Sequence, residues 1–474
     1  MSPDPADPQD TARRLSPARR LDVDRLLDDP GTRIVVCCGS GGVGKTTTAA
    51  ALGLRAAERG RKVVVLTIDP ARRLAQSMGI DSLDNVPRRV KGIEDQAAGA
   101  ARGDAAEGAG EGRTGGELHA MMLDMKRTFD EVVEAHADPE RAATILANPF
   151  YQSLSAGFAG TQEYMAMEKL GQLRAKDEWD LIVVDTPPSR SALDFLDAPK
   201  RLGSFLDGRL IRLLTAPAKL GGRAGMAFLN VGMSMMTGTL GKLLGGQLLK
   251  DVQTFVAAMD TTFGGFRTRA DATYKLLQAP GTAFLVVAAP ERDALREAAY
   301  FVERLAAERM PLVGLVLNRV HGSGAGRLSA ERALAAAENL EDPRIVDQGD
   351  GKAGLRNSPD TEGSSRTAAS EGAAGDPVSE DGSPTHPEHT VDRLAAGLLR
   401  LHAERMQLLS REQRTRDRFT ARHPEVAVVD VPALPGDVHD LAGLRDIGAR
   451  LAAGATDMTG AAGATGTAER TDAS

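Results

Sequence analysis

A glycine-rich stretch near the start of the chain has the residue types and spacing of a phosphate-binding loop. It comprises Gly39, Ser40, Gly41, Gly42, Val43, Gly44, Lys45, Thr46 and Thr47. Glycines allow successive backbone N–H groups to converge on phosphate oxygens at the start of a helix, and the lysine of such a loop reaches the terminal phosphates. We therefore expect this loop to bind phosphate, with Lys45 also catalytic and the Thr46 hydroxyl a ligand of Mg²⁺.

Two carboxylates follow apolar runs and would join the same site. Asp185 ends the run from Leu181, an arrangement that holds Mg²⁺, usually through water. Asp69 ends a second run, where it could lie beside the metal and orient or deprotonate an attacking water. An aspartate at a strand end is also a common turn or cap residue, so for Asp69 both interpretations stay open.

Six short β-branched runs must position these side chains. They are Ile34–Cys38, Val63–Ile68, Leu181–Val184, Phe284–Ala288, Val313–Leu317 and Val426–Val431. Apolar runs without alternation indicate strands covered on both faces, as in a parallel sheet. We predict an α/β fold with a doubly wound, mostly parallel sheet, an inserted helical subdomain and a disordered acidic insert.

Composition along the chain predicts its domain organisation. Polar and small-residue segments cannot bury enough apolar surface to offset the entropy of ordering, which makes 1–30 mostly disordered, and likewise 96–116, 347–390 and 454–474. The core that contains the phosphate-binding loop and the sheet would occupy 31–95, 179–199 and 278–346. The Met-, Leu- and Gly-rich residues 117–178 and 200–277 would form the helical subdomain, and 391–453 a helix, the last core strand and a C-terminal helix.

Charge and cysteine usage narrow the function classes. The 474 residues include 58 Lys and Arg against 65 Asp and Glu, a net charge of −7. The total does not decide the partner, because much of the acidity lies in the segments predicted to be disordered; we expect no nucleic-acid partner because the sequence shows no concentrated basic face. The only two cysteines, Cys37 and Cys38, are adjacent on a predicted strand, which argues against a disulfide framework and fits the cytoplasm. No run approaches ~20 strongly apolar residues, so we expect no integral membrane segment.

Five stretches together resemble the arsenite-pump and tail-anchored-protein-targeting ATPases, a branch of the deviant phosphate-loop NTPases that includes ParA and MinD proteins. The loop at 39–47 is like that of the branch. The run 69–74 (DPARRL) is similar to its first switch, and 185–199 (DTPPSRSALDFLDAP) to its second. Residues 317–320 (LNRV) and 431–435 (VPALP) look like its adenine-binding elements.

The resemblance implies roles for particular residues. Asp69 would be the water-positioning base, and Thr46 and Asp185 would lie on the Mg²⁺ side. Asp185, Pro188 and Ser189 would belong to the second switch, and Asn318, Arg319 and Pro432 to the adenine pocket. ATP and Mg²⁺ would be the cofactors of a nucleotide-gated dimer whose helical subdomains move.

One position departs from the family pattern. Ser40 stands where this branch usually carries a signature lysine that reaches across the dimer to the partner's nucleotide. A short neutral hydroxyl can neither span that gap nor neutralise phosphate charge. We predict a heterodimer with a paralogue that keeps the lysine, with a homodimer as the alternative. A substitute cation could instead come from Arg72, Arg73 or Arg190, although the simpler interpretation is that these are solvated arginines of the switch regions.

Several functions remain open at this point. The Met- and Gly-rich residues 203–259 would either pack a helical core or interface, or line a groove for a hydrophobic helical client. A regulatory or scaffolding subunit that binds nucleotide with little turnover is the alternative to an ATPase switch. An arsenite pump is disfavoured because no thiolate cluster is available, and ParA- or MinD-type positioning because no concentrated basic surface is evident.

Overall fold

The computed structural model describes residues 19–68, 73–80, 82–93, 115–155, 161–187, 268–341 and 387–453. These residues divide between two compact units. The first comprises Met1–Gly322 together with Glu412–Ser474, and the second comprises Ser323–Arg411.

An eight-stranded sheet forms the centre of the first unit. Its strands run in the spatial order β3-β4-β2-β5-β1-β6-β7-β8, and all neighbours are parallel except β3 and β4. The strands are β1 Ile34–Cys38, β2 Lys62–Thr67, β3 Arg88–Arg89, β4 Glu117–Met122, β5 Leu181–Asp185, β6 Thr282–Ala288, β7 Leu312–Val320 and β8 Ala427–Pro432. The predicted doubly wound, mostly parallel α/β fold is confirmed.

Both faces of the sheet are covered, as the apolar runs without alternation indicate. Along β1, Ile34 and Val36 belong to one buried cluster, whereas Val35 and Cys37 belong to the other. Since successive side chains of a strand point to opposite faces, a strand buried on both sides must be apolar throughout. The central strands therefore lie between two layers of helices.

The helices are α1 Val23–Asp28, α2 Lys45–Glu58, α3 Arg73–Ser77, α4 Met125–His136, α5 Pro139–Leu146, α6 Pro149–Ser155, α7 Thr161–Ala175, α8 at 268–278, α9 Arg292–Ala307, α10 Ala330–Glu341, α11 Pro387–Arg422 and α12 Leu441–Ala453. Local sequence explains where several begin. Asp124 and Asp138 each accept a hydrogen bond from a backbone N–H of the first turn of α4 and α5. In the described part of the chain, none of these helices is long and apolar enough to cross a membrane.

Helices α4 to α8 supply the described part of the region predicted as a helical subdomain. Two ion pairs with little exposure tie three of them together: Lys169 on α7 contacts Glu131 on α4 at 3.0 Å, and Arg269 on α8 contacts Glu168 on α7 at 3.0 Å. Residues 188–267 lie outside the described residues, so the predicted client groove and the methionines of 203–259 lie outside them too.

Two segments differ from their predicted state. Glu117–Met122 is strand β4 rather than helix, because all six residues pair with β2 and this pairing overrides the helical preference of its Leu, Ala and Met. Within the predicted N-terminal tail, α1 is ordered because Val23 and Leu27 are fully buried in the sheet's core. Arg55 of α2 also makes an ion pair with Asp24 at 2.5 Å.

The second unit contains α10 and the first part of α11, up to Arg411. Ala333 and Ala337 of α10 and Ala396 and Ala403 of α11 are fully buried. Arg400 pairs with Glu341, and a ring nitrogen of His402 lies 2.8 Å from the carbonyl oxygen of Leu328. Small buried side chains on both helices indicate that close packing organises this unit.

Candidate nucleotide site

The glycines of the loop after β1 are required by geometry. Gly39 passes so close to β6 that an added Cβ would lie 2.1 Å from the carbonyl oxygen of Val287. Gly42 and Gly44 have φ angles of 76° and 95°, in the left-handed region that side chains disfavour. Gly44 is the N-cap of α2, so the loop delivers its backbone N–H groups to the positive end of that helix.

Lys45 lies within the loop. Its side chain is buried, and its Nζ donates a hydrogen bond to the carbonyl oxygen of Ser40 at 2.8 Å. The ammonium group therefore lies over the loop, where it can transfer from this carbonyl to a phosphate oxygen. Ser40 is itself largely buried.

Asp185 connects the loop to two strands. Its Oδ2 accepts hydrogen bonds from the Thr46 hydroxyl at 2.7 Å and the Thr67 hydroxyl at 2.9 Å, and the residue is fully buried at the end of β5. Two hydroxyls and a carboxylate are the hard oxygen donors that Mg²⁺ prefers. The residues present therefore fit Mg²⁺, and Thr46 and Asp185 are the side chains that would hold it.

Asn318 touches the loop from the end of β7. Its side-chain Nδ2 donates to the carbonyl oxygen of Val43 at 2.8 Å, and an added Cβ on Gly44 would lie 2.2 Å from the same nitrogen. A glycine at 44 therefore serves both the backbone conformation and the approach of Asn318. This contact places the amide group directly beside the loop.

A cavity of about 660 Å³ opens beside Asn318. Gly44 and Thr47 line it on the side of the loop, and Arg319 and Pro432 line it from β7 and β8. Arg319 lies where the register between these strands shifts, and its φ of 62° is left-handed. The structure thus brings together the loop and the three residues predicted to contact adenine.

The structure describes only some of the residues predicted to form the first and second switches. Asp185 is placed as above, whereas Asp69, Pro188 and Ser189 lie outside the described residues. Ile68, the residue just before Asp69, is described: its backbone N–H donates a hydrogen bond to the carbonyl oxygen of Asp185 at 3.0 Å. The ends of β2 and β5 are therefore adjacent.

The sequence profile of the anion-transporting ATPases, the ArsA ATPase family, matches residues 32–323 of the chain. The chain belongs to this family. The match includes every strand from β1 to β7 and the entire phosphate-binding loop.

The chain is also similar, at low sequence identity, to individual proteins. The chain is 27% identical to "ATPase GET3" of Malassezia globosa over 196 residues, 41% of this chain and 51% of that protein. It is 24% identical to "ATPase GET3" of Podospora anserina over 319 residues, 65% of this chain and 80% of that protein. For "ATPase ASNA1 homolog" of Cryptosporidium parvum the identity is 25% over 283 residues, 60% and 63% of the two chains. The chain thus spans about half the length of the first of these relatives.

Sequence reasoning missed four polar residues of this ArsA-type site. Thr67 bonds Asp185, and Thr186 donates to the carbonyl oxygen of Cys37 at 2.9 Å. His321 and Glu412 line the cavity beside Asn318 and contact each other, ring Nδ1 to Oε1, at 2.5 Å. A threonine at the end of an apolar strand could have been predicted from the sequence as a site residue. Glu412 could not, because it is 91 residues from His321 and lies in a helix of otherwise ordinary polarity.

The two cysteines of this family member lie on β1 and are fully buried. Burial raises the pKa of the Cys37 thiol well above its usual range and that of Cys38 to about 12. A cysteine binds a metalloid or zinc as the thiolate. These two side chains are therefore unsuited to bind arsenite.

Proposed function

We propose that this chain is an ATPase that acts as a nucleotide-gated dimeric switch, and that its helical region responds to Mg²⁺ and ATP at the loop. The supporting observation is a continuous hydrogen-bonded connection. Thr46 bonds the Asp185 carboxylate, Ile68 bonds the Asp185 carbonyl oxygen, and the side-chain Nε2 of Gln162 donates to the Ile68 carbonyl oxygen at 3.0 Å. Gln162 lies in the first turn of α7, so a ligand that takes Thr46 acts on the end of β5, the end of β2 and the helical region together.

Gln162 provides the test of this coupling. In Gln162→Ala we expect ATP affinity to be unchanged, while the ATP-dependent change in amide hydrogen exchange of α4 and α7 is lost. The matched control is Gln152→Ala, whose side-chain amide donates to the Leu146 carbonyl oxygen inside the helical region. If both variants keep the ATP-dependent change, the proposed connection is wrong.

Asp69 is the proposed base for the attacking water, on the strength of the family resemblance and of its place directly after β2. We expect Asp69→Asn to abolish phosphate release and to leave ATP binding intact, because an amide cannot accept the proton. Turnover would be followed by phosphate release and binding by titration calorimetry. Undiminished hydrolysis would remove Asp69 from the mechanism.

We propose that the working assembly in the cytoplasm is a heterodimer with a paralogue that carries the signature lysine. A second cavity of about 310 Å³ supports this, because it lies beside Ser40 and Gly41 and its lining holds three carboxylates and one cation: Glu291, Asp293, Glu297 and Arg319. An acidic lining beside a phosphate loop suits the arrival of a cation from another chain.

The heterodimer is tested by adding the lysine and by adding the partner. The isolated chain should hydrolyse ATP slowly, and both Ser40→Lys and the co-purified paralogue should raise the rate. Ser40→Ala is the matched control and should leave the slow rate unchanged. A full rate from the isolated wild-type chain would contradict the heterodimer and favour a homodimer.

The proposed client is a hydrophobic helical protein segment bound by the helical region. Support comes from the GET3-type relatives and from the Met-rich composition of 203–259. Affinity purification with ATP and Mg²⁺ should recover apolar helical proteins. Recovery of the paralogue without any such client would contradict this part of the proposal.

A regulatory subunit with little turnover is the second candidate, favoured by Ser40 in place of the lysine. Stoichiometric ATP binding without phosphate release, even with the paralogue present, would select it over the switch.

A further inference from the structure

A row of exposed aliphatic side chains follows α11 through the second unit. Val391, Leu394, Leu398 and Leu401 are 62–67% exposed, and Leu408 is 38% exposed. We call these five residues the leucine seam. Exposed apolar side chains scattered singly need no explanation, but five on one helix face do.

The spacing of the seam is that of a coiled coil. Val391, Leu398 and Arg405 occupy one heptad position and Leu394, Leu401 and Leu408 the other, so that five of the six seam positions are apolar. This width, two residues in seven, is narrower than the apolar face of a helix that lies on a membrane.

The seam is not the face by which α11 packs within its own unit. Ala396 and Ala403, which are fully buried, lie on the opposite side of the helix at 100° per residue. The helix is therefore apolar on two sides, one of them already used by its own unit. Because α11 is held in shape by that packing, a partner would not have to induce it.

We propose that the leucine seam is a dimerisation surface, and that its occupant is the same seam of a second copy of this chain, running antiparallel. In this register Val391 faces Leu408 of the second copy, and Leu398 faces Leu401. The proposal goes beyond the nucleotide switch and does not depend on it.

Arg405 decides the orientation. A parallel pair would place Arg405 against Arg405 of the second copy, and facing like charges are destabilising. In the antiparallel pair each Arg405 faces Leu394, where its aliphatic stem can pack while the guanidinium reaches water. The heptad spacing of 3, 4, 3, 4 and 3 residues reads the same in both directions, so the seam is complementary to itself.

The interface is small. Covering five aliphatic side chains on each helix removes on the order of 1,000 Å² of surface, at the lower limit for a specific complex. We therefore expect a weak dimer, with a Kd on the order of 10 µM, formed without nucleotide.

The test uses the full chain without ATP or Mg²⁺. Sedimentation equilibrium up to about 100 µM should show a dimer of the wild type, and the double change Leu398→Glu and Leu401→Glu should leave a monomer. Val86→Glu is the matched control, since Val86 is 61% exposed in the first unit, and it should dimerise as the wild type does. A wild type that stays monomeric, or a dimer that survives the double change, would overturn the proposal.

Cysteine cross-linking tests the orientation independently of the glutamate variants. The two native thiols are buried and should stay unreactive. Val391→Cys mixed with Leu408→Cys should give a disulfide-linked dimer, whereas each variant alone should not. Cross-links within either single variant would mean a parallel pair, and a monomeric chain that binds only phospholipid vesicles would mean a membrane surface; both results contradict the proposal.

Discussion

The carboxyl edge of the sheet and the leucine seam depart from the usual distribution of residues in opposite ways. At the sheet edge, Lys45 and Asp185 are polar and buried; Lys45 donates a hydrogen bond to the loop, and Asp185 Oδ2 accepts hydrogen bonds from two threonines. On α11, Leu394 and Leu401 are apolar and exposed. Buried polar groups and exposed apolar rows are the two informative exceptions to ordinary burial.

The two regions therefore differ in what a mutation should change. Buried charges are costly unless each has a partner, so the sheet edge is precise and tolerates little change. The exposed apolar side chains of the seam need no partner in the monomer, and they stabilise the protein only when a second surface buries them. Mutations should therefore affect activity and stability at the first region and association at the second.

The largest expected effect is on turnover. Asp185→Asn should lower ATP hydrolysis by about 100-fold or more, because the charge that acts on the metal side is lost. Asp430→Asn is the control, since Asp430 is also a buried aspartate of a parallel strand but pairs with Arg416. It should reduce stability and leave turnover per folded molecule unchanged; equal losses of turnover in both variants would contradict a specific role for Asp185.

A smaller effect is expected on stability at the loop. Gly44→Ala should cost about 2–3 kcal/mol, from the left-handed φ and from displacement of Asn318. Gly60 has nearly the same φ, 94°, but open space around it, so Gly60→Ala should cost only about 1 kcal/mol. Urea denaturation gives both values. Adding Asn318→Ala to Gly44→Ala should recover part of the loss, and failure to do so would mean that Asn318 is not what obstructs the side chain.

The two sides of α11 should respond differently to a change of size. Ala403→Leu inserts volume into the buried side and should destabilise the protein by about 1–3 kcal/mol. Thermal unfolding followed by circular dichroism would measure this. A stabilised variant would show that space remains next to Ala403.

The smallest effect is expected on the exposed side of the same helix. Leu401→Ala should change the free energy of unfolding of the dilute chain by no more than about 0.5 kcal/mol, because the side chain contributes little burial in the monomer. The same denaturation experiment at low micromolar concentration applies. A loss of several kcal/mol would show that the seam already packs within its own chain.

Much of the nucleotide site is readable from local sequence. The strand, loop and helix around Lys45 are contiguous, so one segment fixes both the backbone path and the donors it presents. The covered strands also follow directly from their continuous apolar runs. By contrast, β4 could not be read from Glu117–Met122, because pairing with β2 overrides the local helical preference of those residues.

The sequence by itself determined the phosphate loop, the parallel sheet and the carboxylate of Asp185 at the end of its strand, because these are short-range patterns with local physical causes. Only the tertiary structure decided that Thr67 shares Asp185 with Thr46, that His321 meets Glu412, and which side of α11 is covered. The heptad pattern of Val391 to Leu408 was present in the sequence, but a heptad does not say whether its own unit covers it. Burial depends on residues distant in the chain, and for this reason the seam became visible only in the fold.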